Sequence, residues 1–182
     1  MLGLQNILLK GEFTEEKGLS YYENGHIDLR KVTLAYLVNK DNGNVLIAMK
    51  KRGFGSGRFN GVGGKLKEGE SVKDAMMRET KEEIGVTPKS FEETGVINFY
   101  FDGGRDDFNQ EVHVFVIYSW EGEPSESEEM KPMWIAKDHL PFEKMWPDDK
   151  YWLSDLLEGR RINASFLFGE GDIIKEMKVE RY

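Results

Sequence analysis

The sequence predicts one α/β domain, and three observations carry that expectation. Two β-prone runs at 32–38 and 45–49, separated by Asp41, Asn42, Gly43 and Asn44, read as a hairpin. Residues 110–120 alternate, with Val112, Val114, Val116 and Tyr118 set against Glu111, His113, Phe115, Ile117 and Ser119, as a long strand does. Two segments have helical period, one between Ser71 and Gly85 and one at 150–159. With 182 residues, 39% hydrophobic and 12% aromatic, the chain suits a single well-cored domain and is short for two.

Taken in order, residues 1–31 form an N-terminal extension of unknown role, and 32–182 the domain. In the extension Leu2, Leu4, Ile7, Leu8 and Leu9 suit a short buried element. Tyr21, Tyr22, Glu23, Asn24 and Gly25 read as a turn leading into His26, Ile27 and Asp28. An extra strand pair, an arm over the domain and a dimer contact all fit this segment, and His26 reads as ordinary surface. The hairpin then ends in Lys50, Lys51 and Arg52. Six glycines follow within residues 53–64. Such a run lets backbone approach a ligand closely, and the cations around it, Arg58 included, suit phosphates. Alone it reads equally as a flexible connection.

The first helix is marked at both ends. Ser71 stands as N-cap, Asp74 holds the reciprocal position of a capping box, and Gly85 follows as the stop. Val86, Thr87 and Pro88 end it. Residues 94–101 read as a strand, 102–109 as a loop, and 121–129 as an acidic solvated linker before a short strand around Met133, Trp134 and Ile135. The second helix has Trp152, Leu153, Leu156 and Leu157 as its apolar stripe. Residues 165–168 and 173–179, joined by Gly169, Glu170, Gly171 and Asp172, close the chain as a hairpin. His113 reads as a hydrogen-bonded strand residue, and no repeat or low-complexity segment is present.

Composition excludes several functions. With no cysteine there is no disulfide, thiolate zinc site or cysteine nucleophile. A net charge of -8 and a pI near 5.1 oppose a polymeric nucleic-acid partner held by phosphate neutralisation. No stretch reaches membrane-spanning length, no basic residue precedes the first apolar run, and Leu2 leaves no glycine to acylate. A cytoplasmic protein with no membrane partner is the expectation.

The chemistry concentrates at 64–86, GKLKEGESVKDAMMRETKEEIGV. At roughly 100° per residue Glu79, Glu82 and Glu83 share one face, which makes them candidate metal ligands. The same face begins with Val72, Ala75 and Met76, so an apolar stripe turns acidic along one helix. The bland alternative is a solvated face laced with i,i+4 ion pairs. The spacing from Gly64 to Glu70, and on to Arg78, Glu79, Glu82, Glu83, Gly85 and Val86, resembles the signature of the Nudix hydrolases. Thr80 departs from it, standing where that family has an aliphatic residue. Residues 50–69 and 129–152 resemble in addition the branch that acts on oxidised purine nucleoside triphosphates.

The resemblance implies a Nudix fold, a mixed β-sheet sandwiched between helices. It implies Mg2+-dependent hydrolysis of a small-molecule nucleoside triphosphate such as 8-oxo-dGTP or 2-hydroxy-dATP to monophosphate and pyrophosphate, which sanitises the nucleotide pool; the alternatives are a Nudix pyrophosphohydrolase for methylated purine nucleotides, unmodified dNTPs or nucleoside diphosphate derivatives, and a non-catalytic nucleotide-binding module. Mn2+ is an alternative metal, and a monomer is expected, with a dimer as the alternative. On this reading Glu79, Glu82, Glu83, the Gly64 carbonyl and Glu129 hold metal. Glu82 or Glu83 assists water deprotonation, Arg78 orients Glu79, and Lys50 meets phosphate. Trp146, Pro147, Asp148 and Asp149 match the base-binding motif, Asn60 matches the asparagine of the glycine-rich loop, and Phe54 and Phe99 match pocket aromatics. Gln110 holds a further pocket position, where the resembling branch is expected to carry methionine. Glu111, Phe59 and Val62 also depart from the branch, so the resemblance implies the reaction but not the fine base preference.

The paired aspartates have a reading of their own. Two adjacent carboxyls repel one another, so one holds its proton while the other ionises, and together they can donate to and accept from an altered purine edge. Proline at a helix start with aspartates in the first turn is equally ordinary capping chemistry.

Overall fold

The computed structural model describes residues 17–25 and 27–182. The apolar run from Leu2 to Leu9 and His26, singled out above, lie outside the described residues. The elements are α1 (Leu19–Asn24), β1 (Arg30–Val38), β2 (Asn44–Lys50), β3 (Phe59–Asn60), α2 (Val72–Ile84), β4 (Thr87–Phe101) and β5 (Gln110–Glu121). They continue with β6 (Met130–Ala136), α3 (Asp149–Leu157), β7 (Ile162–Phe168) and β8 (Ile174–Arg181).

The strands form one mixed sheet in the order β3-β2-β1-β5-β4-β7-β8, with β6 on the outer edge of β2. β1 runs parallel to β5 and β4 parallel to β7; the other pairs are antiparallel. Because successive side chains point to opposite faces, the strands supply two cores. Tyr36, Ile97, Phe99, Val112 and Val114 meet Trp152, Leu153 and Leu156 of α3 on one face. Ala35, Leu37, Phe115 and Ile117 meet Met76 and Ile84 of α2 on the other. This is the α/β/α arrangement expected from the sequence. Among the described residues no helix is long and apolar enough to cross a membrane.

The sheet is forked. β1 and β2 pair only through Leu37↔Leu46 and Val38↔Val45, and then diverge. The glycine-rich segment enters the gap: Ala35 and Val62 exchange N–H···O bonds of 2.7 and 2.9 Å, and the Thr33 N–H donates to the Gly64 carbonyl at 2.8 Å. Only glycine can stand at 63, where φ is +155° and a Cβ would lie 2.0 Å from the Thr33 carbonyl oxygen.

Helix α2 begins and ends where its caps predict, but the box closes differently. Ser71 Oγ accepts from the Asp74 N–H at 3.1 Å and donates to Asp74 Oδ2 at 2.6 Å, the shorter aspartate turning to the hydroxyl instead of reaching back to backbone. Gly85 takes the left-handed conformation at φ +81°. Thr80 is fully buried and donates to the Met76 carbonyl at 2.7 Å, which satisfies the hydroxyl in an apolar setting.

Two local expectations are corrected. Of the turn expected at residues 21–25, residues 21–24 are instead the last part of α1 and Gly25 is its C-cap; Tyr22 packs on Tyr100 and Leu167, so aromatic burial overrides a turn-like composition. Strand β4 starts at Thr87, seven residues before the expected 94. Pro88 is tolerated because the register is irregular from Pro88 to Ser90 and again at Phe91. His113 is hydrogen-bonded as expected, to Glu93 at 2.7 Å and Glu111 at 2.9 Å.

Candidate active site

A cavity of about 480 Å³ opens on the α3 side of the fork. Phe54, Asn60, Phe99, Gln110, Trp146, Asp148 and Asp149 all line it, and Lys50, Gly64 and Glu129 line its other end. The structure therefore brings together residues that the sequence spreads over a hundred positions.

At the closed end both aspartates are buried. Asp148 Oδ2 accepts from Trp152 Nε1 at 2.8 Å, and Asp149 Oδ2 accepts from the Trp146 N–H at 2.9 Å. Asp148 occupies the cap position of α3 without making a side-chain cap bond. Capping thus explains only Asp149, which reaches back to the turn before the helix. Burial pushes the Asp148 carboxyl up to about 6. Burial, together with the charge of Asp148, pushes Asp149 well above the usual carboxylate range. One neutral and one ionised carboxyl is the state that such a pair favours. Beside them Tyr36 donates from its hydroxyl to Asn60 Oδ1 at 3.2 Å, and the same oxygen accepts from the Gly61 N–H at 2.9 Å. Both bonds fall on the oxygen, so the Asn60 amide nitrogen keeps its two donors available at the cavity wall.

The acidic end is less uniform than the helical wheel suggests. The Glu79 and Glu82 side chains are 16% and 55% exposed, while Glu83 is buried at 4%. Glu83 accepts from the Gly63 N–H at 2.8 Å. Burial pushes its carboxyl up to about 7, with Glu79 and Glu129 adding to the push against Gly63 and Lys50. Arg78 is the organiser here: Nε and one terminal nitrogen grip Glu70 at 2.7 and 2.8 Å, and the other meets Glu79 at 2.6 Å and Glu82 at 3.1 Å. It also donates to the Lys65 carbonyl, tying the loop before α2 to the helix. Glu129 is held by Arg52 at 2.6 Å.

Because these arginines take up Glu79, Glu82 and Glu129, no three acidic or imidazole side chains among the described residues converge into a closed cage as they stand. The donor set still fits a hard divalent cation. It is all oxygen, it holds a carboxyl that burial raises, with a smaller push from Glu79 and Glu129, and the Glu79 carboxylate sits against Gly64, where a Cβ would lie 2.6 Å from it.

The cations expected to suit phosphates divide. Lys51 is tied to Glu126 at 2.8 Å, drawing in the acidic loop that the sequence reads as a solvated linker, and Arg52 to Glu129. Arg58 pairs with Asp172 at 3.0 Å and lies 4.1 Å from the Trp146 ring centre. Lys50 lines the cavity with no ion pair among the described residues. Three departures from the family pattern do not line the cavity. Val62 is buried in the α2-side core, Phe59 packs from β3 into the α3-side core, and Glu111 binds His113 and Lys31. Gln110 alone of the four lines it.

Sequence reasoning missed Tyr36, Trp152, Phe101 and Phe168, all of which line the cavity or its polar floor. Each sits in an apolar run where an aromatic residue reads as core. A residue pattern could have flagged only Trp152, four positions after Asp148.

A family profile described as NUDIX domain matches residues 28–156. A zebrafish (Danio rerio) protein named oxidized purine nucleoside triphosphate hydrolase is 43% identical over 138 residues, covering 76% of this chain and 87% of its own. The mouse (Mus musculus) protein of the same name is 44% identical over 130 residues, covering 71% and 82%. Among solved structures, a MutT protein from Bacillus halodurans superposes with a TM-score of 0.73 at 28% identity, covering 84% of this chain and 98% of that one. The match over most of the chain, the shared fold and the placement of the acidic helix beside a cavity agree: this chain belongs to the Nudix family.

Proposed function

We propose that the protein hydrolyses oxidised purine nucleoside triphosphates, 8-oxo-dGTP and 2-hydroxy-dATP among them, to the monophosphate and pyrophosphate, and so cleanses the nucleotide pool of the cytoplasm as a monomer. One observation carries the reading: a single cavity has a buried carboxyl pair at one end and the carboxylates of α2 beside the other. The two mammalian- and fish-type relatives named above support the substrate class.

Oxidation alters the donor and acceptor pattern of a purine edge. Asp148 and Asp149, unequally protonated, can donate to and accept from that edge, and the Asn60 amide adds donors. Phe54, Phe99 and Trp146 supply the ring contacts, and Gln110 an amide at the wall. At the other end Lys50 meets the phosphate chain.

Nudix hydrolases generally need a divalent metal. Glu79, Glu82 and Glu83, with the Gly64 carbonyl and Glu129, would hold it, and Mg2+ suits this oxygen set, with Mn2+ as substitute. When bound, such a cation supplies positive charge against the phosphate chain and acidifies water. Glu82 or Glu83 receives the proton of the attacking water as the α–β phosphoanhydride breaks. Arg78 contributes by holding Glu79 and the loop at Lys65 in place.

The test is a kinetic panel with Mg2+ and separated products: 8-oxo-dGTP, 2-hydroxy-dATP, O6-methyl-dGTP and dGTP. An oxidised purine is expected to give the highest kcat/KM. Preference for unmodified dGTP would refute the reading.

A further inference from the structure

Outside the cavity wall three loops meet at one carboxylate. Asp172, in the turn between β7 and β8, accepts from Arg58 of the glycine-rich loop at 3.0 Å and from Arg105 of loop 102–109 at 2.8 Å, one oxygen to each. Arg105 also donates to the Gly169 carbonyl and lies 5.2 Å from the Phe101 ring centre. Arg58 covers the indole of Trp146, and Phe54 is wedged between Trp146 and Phe108, with ring centres 4.9 and 4.6 Å apart. Neither arginine nor Asp172 lines the cavity, whereas Phe54, Phe101 and Trp146 do. Asp172 is also the one non-glycine residue with positive φ, +59°, among the described residues. That conformation is uncommon outside glycine and more tolerable for aspartate or asparagine than for most residues. Burial pushes its carboxyl up, and the two guanidiniums more than offset this and hold it low, so it stays charged at neutral pH.

We propose that Asp172 is a positioning residue for nucleotide binding: through Arg58 it fixes the Trp146 ring against the base cavity, and through Arg105 it locks loop 102–109 behind Phe54. The proposal rests on the reading of Trp146 as a base contact. Phosphate chemistry lies at the far end of the cavity, so loss of the clamp weakens binding of the nucleotide and leaves the hydrolytic step alone.

The test uses Asp172→Asn, which keeps shape and tolerates the same φ, and Arg58→Lys, which keeps the ion pair but loses the planar stack. With 8-oxo-dGTP and Mg2+, both are expected to raise KM about tenfold while kcat stays within about twofold. A second readout needs no substrate: the ¹⁵N–¹H resonance of the Trp146 indole, assigned through Trp146→Phe, moves in both variants while those of Trp120 and Trp134 do not. Wild-type KM, a fall confined to kcat, or an unmoved Trp146 resonance in folded Asp172→Asn overturns the proposal. Should that variant not fold, the same three results in Arg58→Lys overturn it. If wild-type protein prefers dGTP, the functional reading fails instead, and the indole resonance still decides whether the clamp positions Trp146.

Discussion

Asp148→Asn tests the carboxyl pair most directly, because the structure sets both the sign and the size of its effect. The Asp148 carboxyl is fully buried, donates nothing, and accepts the Trp152 indole N–H at 2.8 Å; an asparagine oxygen can take that bond unchanged. Burial raises the carboxyl from 3.8 to about 6. A raised acid destabilises the folded state wherever the folded group is ionised. The unfolded chain ionises first as pH rises, so folding binds protons between the two values and stability falls with pH through that window. At about 1.36 kcal/mol per pH unit the ionised carboxylate costs about 3 kcal/mol at pH 8, and about half of that at pH 5, where the folded group is still protonated.

Asparagine removes this cost. Urea unfolding should therefore show Asp148→Asn more stable than wild type by up to about 3 kcal/mol at pH 8, by about half as much at pH 5, and by almost nothing near pH 3. The same variant should lose kcat/KM for 8-oxo-dGTP by about a hundredfold, since a neutral amide cannot exchange a proton with Asp149 and a charged partner no longer raises it. A gain in stability that is equal at pH 8 and pH 5, or a loss at pH 8, would refute the account of the pair as desolvated and repelling. Full activity would refute its role in base recognition.

Two further predictions concern the acidic end. Glu83→Gln should abolish turnover with Mg2+ present while the melting temperature stays equal or rises, because the buried carboxyl at about 7 is an ionisation cost that glutamine lacks; substantial residual kcat would remove Glu83 from the hydrolytic machinery. Gly63→Ala and Gly64→Ala should differ in kind. At 63 the new methyl meets the Thr33 carbonyl at 2.0 Å under a glycine-only φ, so stability should fall by more than about 3 kcal/mol; at 64 its nearest neighbour is the Glu79 carboxylate at 2.6 Å, the end of a side chain and not backbone, so the fold should persist and kcat should fall. Equal melting temperatures for the two variants would contradict the fork geometry.

What the sequence made legible follows the range of each interaction. Helix α2 was readable to the residue because Ser71, Asp74 and Gly85 act within one turn of its ends. The acidic cluster was readable because its members share that helix, though a wheel fixes direction only coarsely, and Glu82 proved far more exposed than Glu83. The base end was hidden for the opposite reason. Tyr36 meets Asn60 and the aspartates only after β1 and β2 separate, and nothing local in either strand announces that they part after Leu37 and Leu46. Arg58 reads as a phosphate cation because its partner, Asp172, lies 114 residues on.

The fork also explains why one stretch of glycines serves two chemistries. The aspartate pair lies on the α3 face of the sheet and Glu83 on the α2 face, and an unbroken sheet would keep them apart by a layer of side chains. Where β1 and β2 diverge, that layer is replaced by the backbone of residues 61–64, three of them glycine, with Gly63 donating to Glu83 on one side and Gly61 bonded to Asn60 on the other. A Cβ at 61 would lie 2.8 Å from the Ala35 carbonyl, one at 63 would lie 2.0 Å from the Thr33 carbonyl and one at 64 would strike Glu79, so only Val62, turned into the α2-side core, carries a side chain in this segment. On the proposed function, the gap would let a ligand seated among the α3-side aromatics present its phosphates to carboxylates that belong to the opposite face. On that reading base recognition and hydrolysis should separate by mutation, yet neither could be repositioned without moving the same four residues.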